Sequence, residues 1–283
     1  MNSESLYQQL EKDFINPALS DDWARHMQSI DDFLSENFKR RSMGLVCDNS
    51  EEIKKVFAAV FPSNPVMQTV LNKGEKDAML FVHHPSIWDI RKAPPVFHQM
   101  DRGLLEKFRE QKISIYNLHV PLDNYGDYST SSTLAKALGL TGLKPFFQYY
   151  GSLAAVLGKT DMTAVSEIQD KFAAILSHKA SLYQYGTGEI KNGIVAVAAG
   201  GGNIPELLEE KINNDVNTLV TGVSVRIPAT IKAHDYAKDK GINILGGTHY
   251  STEKFACIAM CDYFIKLGLA CEFIEDMPVM EDL

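Results

Sequence analysis

The sequence predicts an α/β fold divided between two α/β domains, and three observations carry that prediction. Short apolar runs rich in Val, Ile, Leu and Phe alternate with segments whose apolar residues recur every three or four positions. That is the alternation of strands and helices that builds an α/β sheet. Histidines and carboxylates fall just beyond the ends of several of the apolar runs, where ligands collect in open α/β sheets. These polar motifs divide between the beginning and the end of the chain, with a separate strand–helix run between them. The predicted organisation is a discontinuous first domain (residues 1–128 with 242–283), an inserted second domain (residues 129–241) and a site in the cleft between them.

Residues 4–38 read as helical, with breaks near Pro17 and before Asp21-Asp22. Ser50 to Ile53 has the form of a helix start, although the run Val56–Phe61 reads equally as a buried strand. Pro65 to Asn72 is a short helix leading into the strand that ends at His83. Met100 to Gln111 is a helix, Ile113–Leu118 a strand, and Leu122 to Tyr128 a loop. Ser131 to Leu138 is a helix closed by Gly139, a natural C-terminal cap. Thr163 to Ser177 is an amphipathic helix and Lys179 to Tyr185 a strand. Ile194 begins a strand that runs into the glycine loop Gly200–Gly202, and Pro205 opens the next helix. Strand, glycine loop and helix together present backbone N–H groups to an anion. The loop lacks the Gly-Lys-Ser/Thr ending of a nucleotide-triphosphate loop, and a plain tight turn fits it equally. Asn217–Gly222 is a strand, Ile227 to Lys240 a helix closed by Gly241, Ile242–Leu245 a strand, and Lys254–Leu267 an amphipathic helix.

Composition narrows the function classes. The chain has 283 residues, 45% hydrophobic and 23% charged, as in ordinary globular proteins. A net charge of −8 argues against a nucleic-acid-binding surface, which is normally basic. No apolar run reaches the ~20 residues of a membrane span. The first residues lack the basic and apolar regions of a signal peptide. Four cysteines without a compact framework fit a reducing compartment, so a cytoplasmic protein is expected. Cys257 and Cys261, four apart on the last helix, read better as small buried apolar groups than as ligands.

Three motifs carry chemistry. His83 and His84 end an apolar run just before Pro85. Inside a strand neighbouring side chains face opposite ways, but at its end the backbone can turn and aim both rings at one point. Neutral imidazole is a good transition-metal ligand; a solvated loop pair is the plainer alternative. His119 and Asp123 follow the strand Ile113–Leu118, with Asp123 either a ligand or a turn cap beside Asn124 and Gly126. His249 and Glu253 are four apart and share a face if helical geometry begins near His249. Thr248 or Ser251 caps that helix, and Glu253 also suits the positive end of its dipole.

Together these motifs give five candidate metal ligands: His83, His84, Asp123, His249 and Glu253. Five exceed the three of a typical mononuclear catalytic zinc site. The surplus fits two metals about 3.5–4 Å apart, bridged by carboxylates, so a metal site in the cleft between the two domains is expected. The ligand set accepts zinc, iron or manganese. His119, if not a ligand, is the candidate catalytic residue for moving a proton.

The order His83-His84-Pro85, then His119 with Asp123, then a glycine-rich loop, then His249-Tyr250 with Thr252-Glu253, resembles the Ngg-interacting-factor-three-like family. Its members are also called GTP cyclohydrolase I type 2 homologues. The match runs from about Gly44 to about Phe264. The resemblance implies a dinuclear metal site made by His83, His84, Asp123, His249 and Glu253. It also implies a cytoplasmic ring-shaped homo-oligomer, commonly a hexamer, and metal-dependent hydrolysis, with GTP ring opening in some members. It favours a strand for Val56–Phe61. Two positions depart from the family pattern. Val223 follows Thr221-Gly222 where an acidic residue is frequent, and Phe61-Pro62-Ser63 stands where an aspartate often ends the first core strand. Both should lie near the cleft and bear on substrate choice. Two function classes follow: a metal-dependent hydrolase of a small nucleotide-like or phosphorylated molecule, and a non-catalytic metal-binding, metal-delivery or scaffold protein.

Overall fold

The computed structural model describes residues 1–92, 94–211 and 215–283. Helix α1 (Ser3–Phe14) starts where the Asn2 side chain accepts the Ser5 N–H, satisfying one of the free donors of the first turn. Two 3-10 turns, Trp23–His26 and Gln28–Phe33, precede α2 (Glu36–Arg41). The N-terminal stretch is therefore helical at both ends, with irregular backbone over residues 15–22 and 3-10 turns after it. Strands β1 (Gly44–Cys47) and β2 (Lys55–Ala59) follow. No helix begins at Ser50. The residues after it are apolar on both sides of the chain, and Val56 to Ala59 are all buried, which suits a central parallel strand.

Helix α3 (Asn64–Asn72) leads to β3 (Ala78–Val82), a strand buried at every position. A small hairpin, β4 (Ile87–Asp89) and β5 (Val96–His98), interrupts the path to α4 (Arg102–Glu110). Strand β6 (Ile113–Asn117) and the single turn α5 (Val120–Asp123) come next; the loop expected from Leu122 thus starts two residues later, at Asn124. Helix α6 (Thr130–Ala137) precedes a long hairpin, β7 (Thr141–Tyr149) and β8 (Ser152–Lys159). The chain continues through α7 (Val165–Leu176), β9 (Ser181–Tyr183), β10 (Ile194–Ala198), α8 (Pro205–Lys211), β11 (Thr218–Thr221), α9 (Ile231–Lys240) and β12 (Asn243–Gly246). It ends with α10 (His249–Lys266) and β13 (Ala270–Phe273).

One sheet has the order β1-β6-β3-β2-β13 and the other β7-β8-β10-β11-β12-β9. In the first, β6, β3, β2 and β13 are parallel. Alternate residues serve opposite faces: Phe57, Leu80 and Ile115 pack with α3 and α4, while Val56, Met79 and Phe81 pack with α1 and α10. In the second sheet β10, β11 and β12 are parallel, and β8 and β9 join them antiparallel. Its two faces are covered by α6 and α7 on one side and by α8 and α9 on the other. Among the described residues no helix is long and apolar enough to cross a membrane.

The sheets correct one expected boundary. The expected boundary at 242 places residues 242–246 in the first domain, but β12 pairs in register with β11, Leu219 opposite Ile244. Its residues are all buried, so the apolar run has a slot in the second sheet. The crossing to the first sheet comes after Gly246, where α10 begins.

Candidate metal centre

The ends of β3 and β6 and the start of α10 bring the expected residues together. The β3 ladder continues one step past the strand, with His83 N–H donating to Ala59 O at 3.2 Å and His84 N–H to Val60 O at 2.9 Å. Both rings then meet, their centroids 4.3 Å apart. Thr248 caps α10 by accepting the Ser251 N–H. The Asp282 carboxylate accepts the His249 N–H at 2.9 Å, so the helix starts firmly at His249. Glu253 lies one turn on and faces the same way, with its Oε1 3.1 Å from His249 Nε2. The cap alternative and the cluster therefore coexist.

Glu253 is the hub. Its Oε2 lies 3.0 Å from His84 Nε2 and its Oε1 3.5 Å from His83 Nε2. Asp123 Oδ1 lies 3.6 Å from His83 Nε2 and accepts the Thr130 hydroxyl at 2.7 Å. His83 Nδ1 sits 2.9 Å from Leu118 O, which keeps a proton on Nδ1 and turns Nε2 toward the carboxylates. Among the described residues two trios have ligand atoms within 4.8 Å of one another: His84, His249 and Glu253, and His83, His84 and His119. His119 thus falls inside a cluster that could hold a metal ion, beside its expected role in proton transfer.

The fit to a metal rests on unsatisfied atoms. His83 Nε2 and His84 Nδ1 are buried without a hydrogen-bond partner, a cost that protein interiors rarely bear without purpose. Two carboxylates and several imidazoles packed this closely form the donor set that divalent transition metals take. Gly200 closes the site from the second sheet at φ +65°, and a Cβ there would lie 2.1 Å from Glu253 Oε1. That glycine gives close backbone approach rather than a general anion turn.

The electrostatics pull the groups apart. Burial presses His83 toward its neutral form, but Glu253 and Asp123 outweigh it and hold its pKa at about 9. Burial alone dominates at His84, which is held well below the ordinary imidazole range. At His249, Glu253 overcomes burial and raises the pKa. Burial should raise Glu253, yet His249, His84 and His83 hold it well down. Asp123 goes the other way: burial raises it more than His83 and His119 lower it.

Sequence patterns did not reveal how His119 is held. Its Nδ1 lies 2.8 Å from Asp21 Oδ2 and 2.9 Å from the Trp23 indole nitrogen. The ring proton selects between them: an Nδ1–H donates to Asp21, and a bare Nδ1 accepts from Trp23. Its Nε2 is 3.9 Å from Asp123 Oδ2. Asp21 and Trp23 lie 98 and 96 positions away in the chain; in the sequence the paired acids at 21–22 signal only a helix break.

A cavity of about 280 Å³ opens beside the cluster, with His84, His119, Asp123, His249 and Glu253 on its wall. Trp88 of the β4–β5 hairpin, Phe147, Tyr149, Ile204 and Leu207 give it an apolar side, and Gly201 and Gly202 form part of its edge. Both departing positions lie at the site, as expected. Phe61 stacks on His84, centroids 4.7 Å apart with planes at 11°. Val223 is buried, and its N–H donates to Gly200 O at 2.9 Å, fixing the glycine loop. Cys257 is buried with its Sγ against Ala59 O and lies outside both ligand trios.

Residues 25–277 match the family described as Duf34/NIF3 (NGG1p interacting factor 3). A protein of Archaeoglobus fulgidus named GTP cyclohydrolase 1 type 2 homolog is 27% identical over 256 residues, covering 89% of this chain and 97% of its own. A Pyrococcus horikoshii protein of the same name is 28% identical, covering 82% and 88%. A solved structure described as protein ybgI, of unknown function, has the same fold at a TM-score of 0.76 and 21% identity, over 99% of this chain and 100% of its own. Reduced HcgD from Methanocaldococcus jannaschii aligns at a TM-score of 0.69 and 20% identity, over 98% of each chain.

Proposed function

We propose that this chain, which belongs to the Duf34/NIF3 family, holds two divalent metal ions and uses them to hydrolyse a small nucleotide-like or phosphorylated heterocycle. The observation that carries the reading is the juxtaposition of a ligand cluster with a largely apolar cavity. Storage or delivery of a metal needs the ligands alone. A wall of Trp88, Phe147, Tyr149, Ile204 and Leu207 beside them suits the body of a planar substrate.

In this reading His83, His84, Asp123, His249 and Glu253 would hold the ions, with Glu253 at the centre of the cluster. Divalent ions there would supply Lewis-acid activation of water and of an electrophilic carbon or phosphorus centre. The chain's own residues do the rest. Leu118 O fixes the tautomer of His83, and the Thr130 hydroxyl orients Asp123. Asp21 and Trp23 give His119 a partner in either tautomer, so its Nε2 can take up or release a proton toward the cavity. The apolar wall excludes water and seats the ring.

The test is turnover of a panel of nucleotides, nucleobases and phosphoesters by metal-loaded protein. His119→Ala should leave metal content intact and lower turnover by ~10²-fold. Loss of metal in that variant would make His119 a ligand. No turnover by the intact protein, with metal passing instead to an apo-enzyme, would favour delivery. We further propose the closed homo-oligomer, a hexamer, that the family resemblance implies. Light scattering at a mass near that of the 31.5 kDa monomer, unchanged across concentrations, would contradict it.

A further inference from the structure

We propose that Cys261 and Cys271 are a modification site, forming a reversible disulfide that ties helix α10 to strand β13. The two sulfurs lie 3.1 Å apart as free thiols. A disulfide needs about 2.05 Å, so a movement of roughly 1 Å closes the bond. The residues belong to consecutive elements joined by a short turn at Gly268, φ +82°, and α10 packs directly on β13. Cys271 is half-buried on an edge strand, which gives a small reagent access. Cys257, one turn before Cys261, is fully buried with its thiol on a backbone carbonyl, so it does not compete.

The Cys271 S–H donates to the Cys261 sulfur. That hydrogen bond lowers the Cys261 thiol below its ordinary range despite burial and raises Cys271. One thiolate ready to attack beside a second thiol that resolves the mixed disulfide is the arrangement exchange requires. The oxidant is a low-molecular-weight disulfide. The first thiolate attacks it, breaking its S–S bond and releasing one small thiol. The second cysteine displaces the other small thiol and forms the Cys261–Cys271 bond. Two protons and two electrons pass from the protein to the reagent. Disulfides of this kind in reducing compartments are transient and responsive.

Trypsin makes the test direct, because Lys254 and Lys266 bracket residues 255–266, with Cys257 and Cys261, and leave 267–283 with Cys271. Reduced full-length protein is equilibrated with oxidised glutathione, digested without reductant and analysed by mass spectrometry. The expected product is peptide 255–266 joined to 267–283. It should form in the parent and in Cys257→Ser, be absent in Cys261→Ser and Cys271→Ser, and be reversed by dithiothreitol. The melting midpoint of the oxidised parent should rise by a few degrees. Recovery of the cysteines as free or singly glutathionylated peptides, or a cross-link that requires Cys257 or joins two chains, would overturn the proposal.

Discussion

Replacing Gly200 by alanine tests whether the glycine loop exists to let backbone approach the ligand cluster. The added Cβ would lie 2.1 Å from Glu253 Oε1, 3.0 Å from its Cδ and 3.1 Å from His249 Nε2. Carbon and carboxylate oxygen need well over 3 Å, so one side must retreat by about 1 Å. Glu253 has nowhere to go, since its two oxygens are engaged by His84 and His249 and only 4% of the residue is exposed. The loop is equally held, because Gly200 N–H donates to Thr252 Oγ1 and its carbonyl accepts from Gly222 and Val223. The left-handed φ of +65° adds about 1 kcal/mol for a residue with a Cβ. Overpacking adds about 1–3 kcal/mol. The sum, about 2–4 kcal/mol, should lower the melting midpoint by roughly 3–7 °C for a chain of this length. Calorimetry in chelator measures that loss on the protein alone, and elemental analysis of the reloaded variant should show depleted metal. An unchanged midpoint together with parental metal content would refute the reasoning.

The remaining predictions concern protons and positioning. In metal-free protein His83 is raised from 6.5 to about 9, so its contribution to folding is complete below pH 6.5 and is lost as pH rises through about 9. Metal competes with that proton, so affinity should climb with pH toward 9 and binding near pH 7–8 should release protons. Titration calorimetry in buffers of different ionisation enthalpy reads this release directly, and a buffer-independent heat would contradict it. Asp21→Asn should leave metal content unchanged and lower turnover, with Asp21→Glu restoring part of it. The His119 ring nitrogens should shift in ¹⁵N NMR spectra of the Asn variant, and unshifted resonances would remove Asp21 from the positioning of His119.

The metal motifs were legible because each is local. A strand end, a histidine and a carboxylate within a few residues leave a pattern in the sequence, and β3, β6 and α10 place them accordingly. The parallel strands β10 and β11 were legible as buried apolar runs. The hairpin β7–β8 was not. Pro145 and alternating exposure demote β7 as a strand, yet Pro145 is tolerated because β7 is an edge. The turn also rests on Tyr150 at φ 48° and Gly151 at φ 85°. Strand β13 leaves no clear pattern in the sequence because it is four residues long and only partly buried. Asp21 and Trp23 reach His119 only through tertiary folding, and no spacing rule joins residues nearly a hundred positions apart. The glycine loop reads equally as an anion turn or a plain tight turn, because the sequence shows its flexibility and not the neighbour of Gly200, Glu253.

The central claim is that this cluster holds two ions bridged by Glu253, and metal stoichiometry tests it most directly. Protein purified without chelator and saturated with zinc, iron or manganese is analysed for metal per chain, alongside Glu253→Ala. The account predicts two ions per chain in the parent and at most one in the variant, because the carboxylate that screens the two cations from each other is gone. A parent that reproducibly carries none or one, unchanged on adding metal, would contradict it.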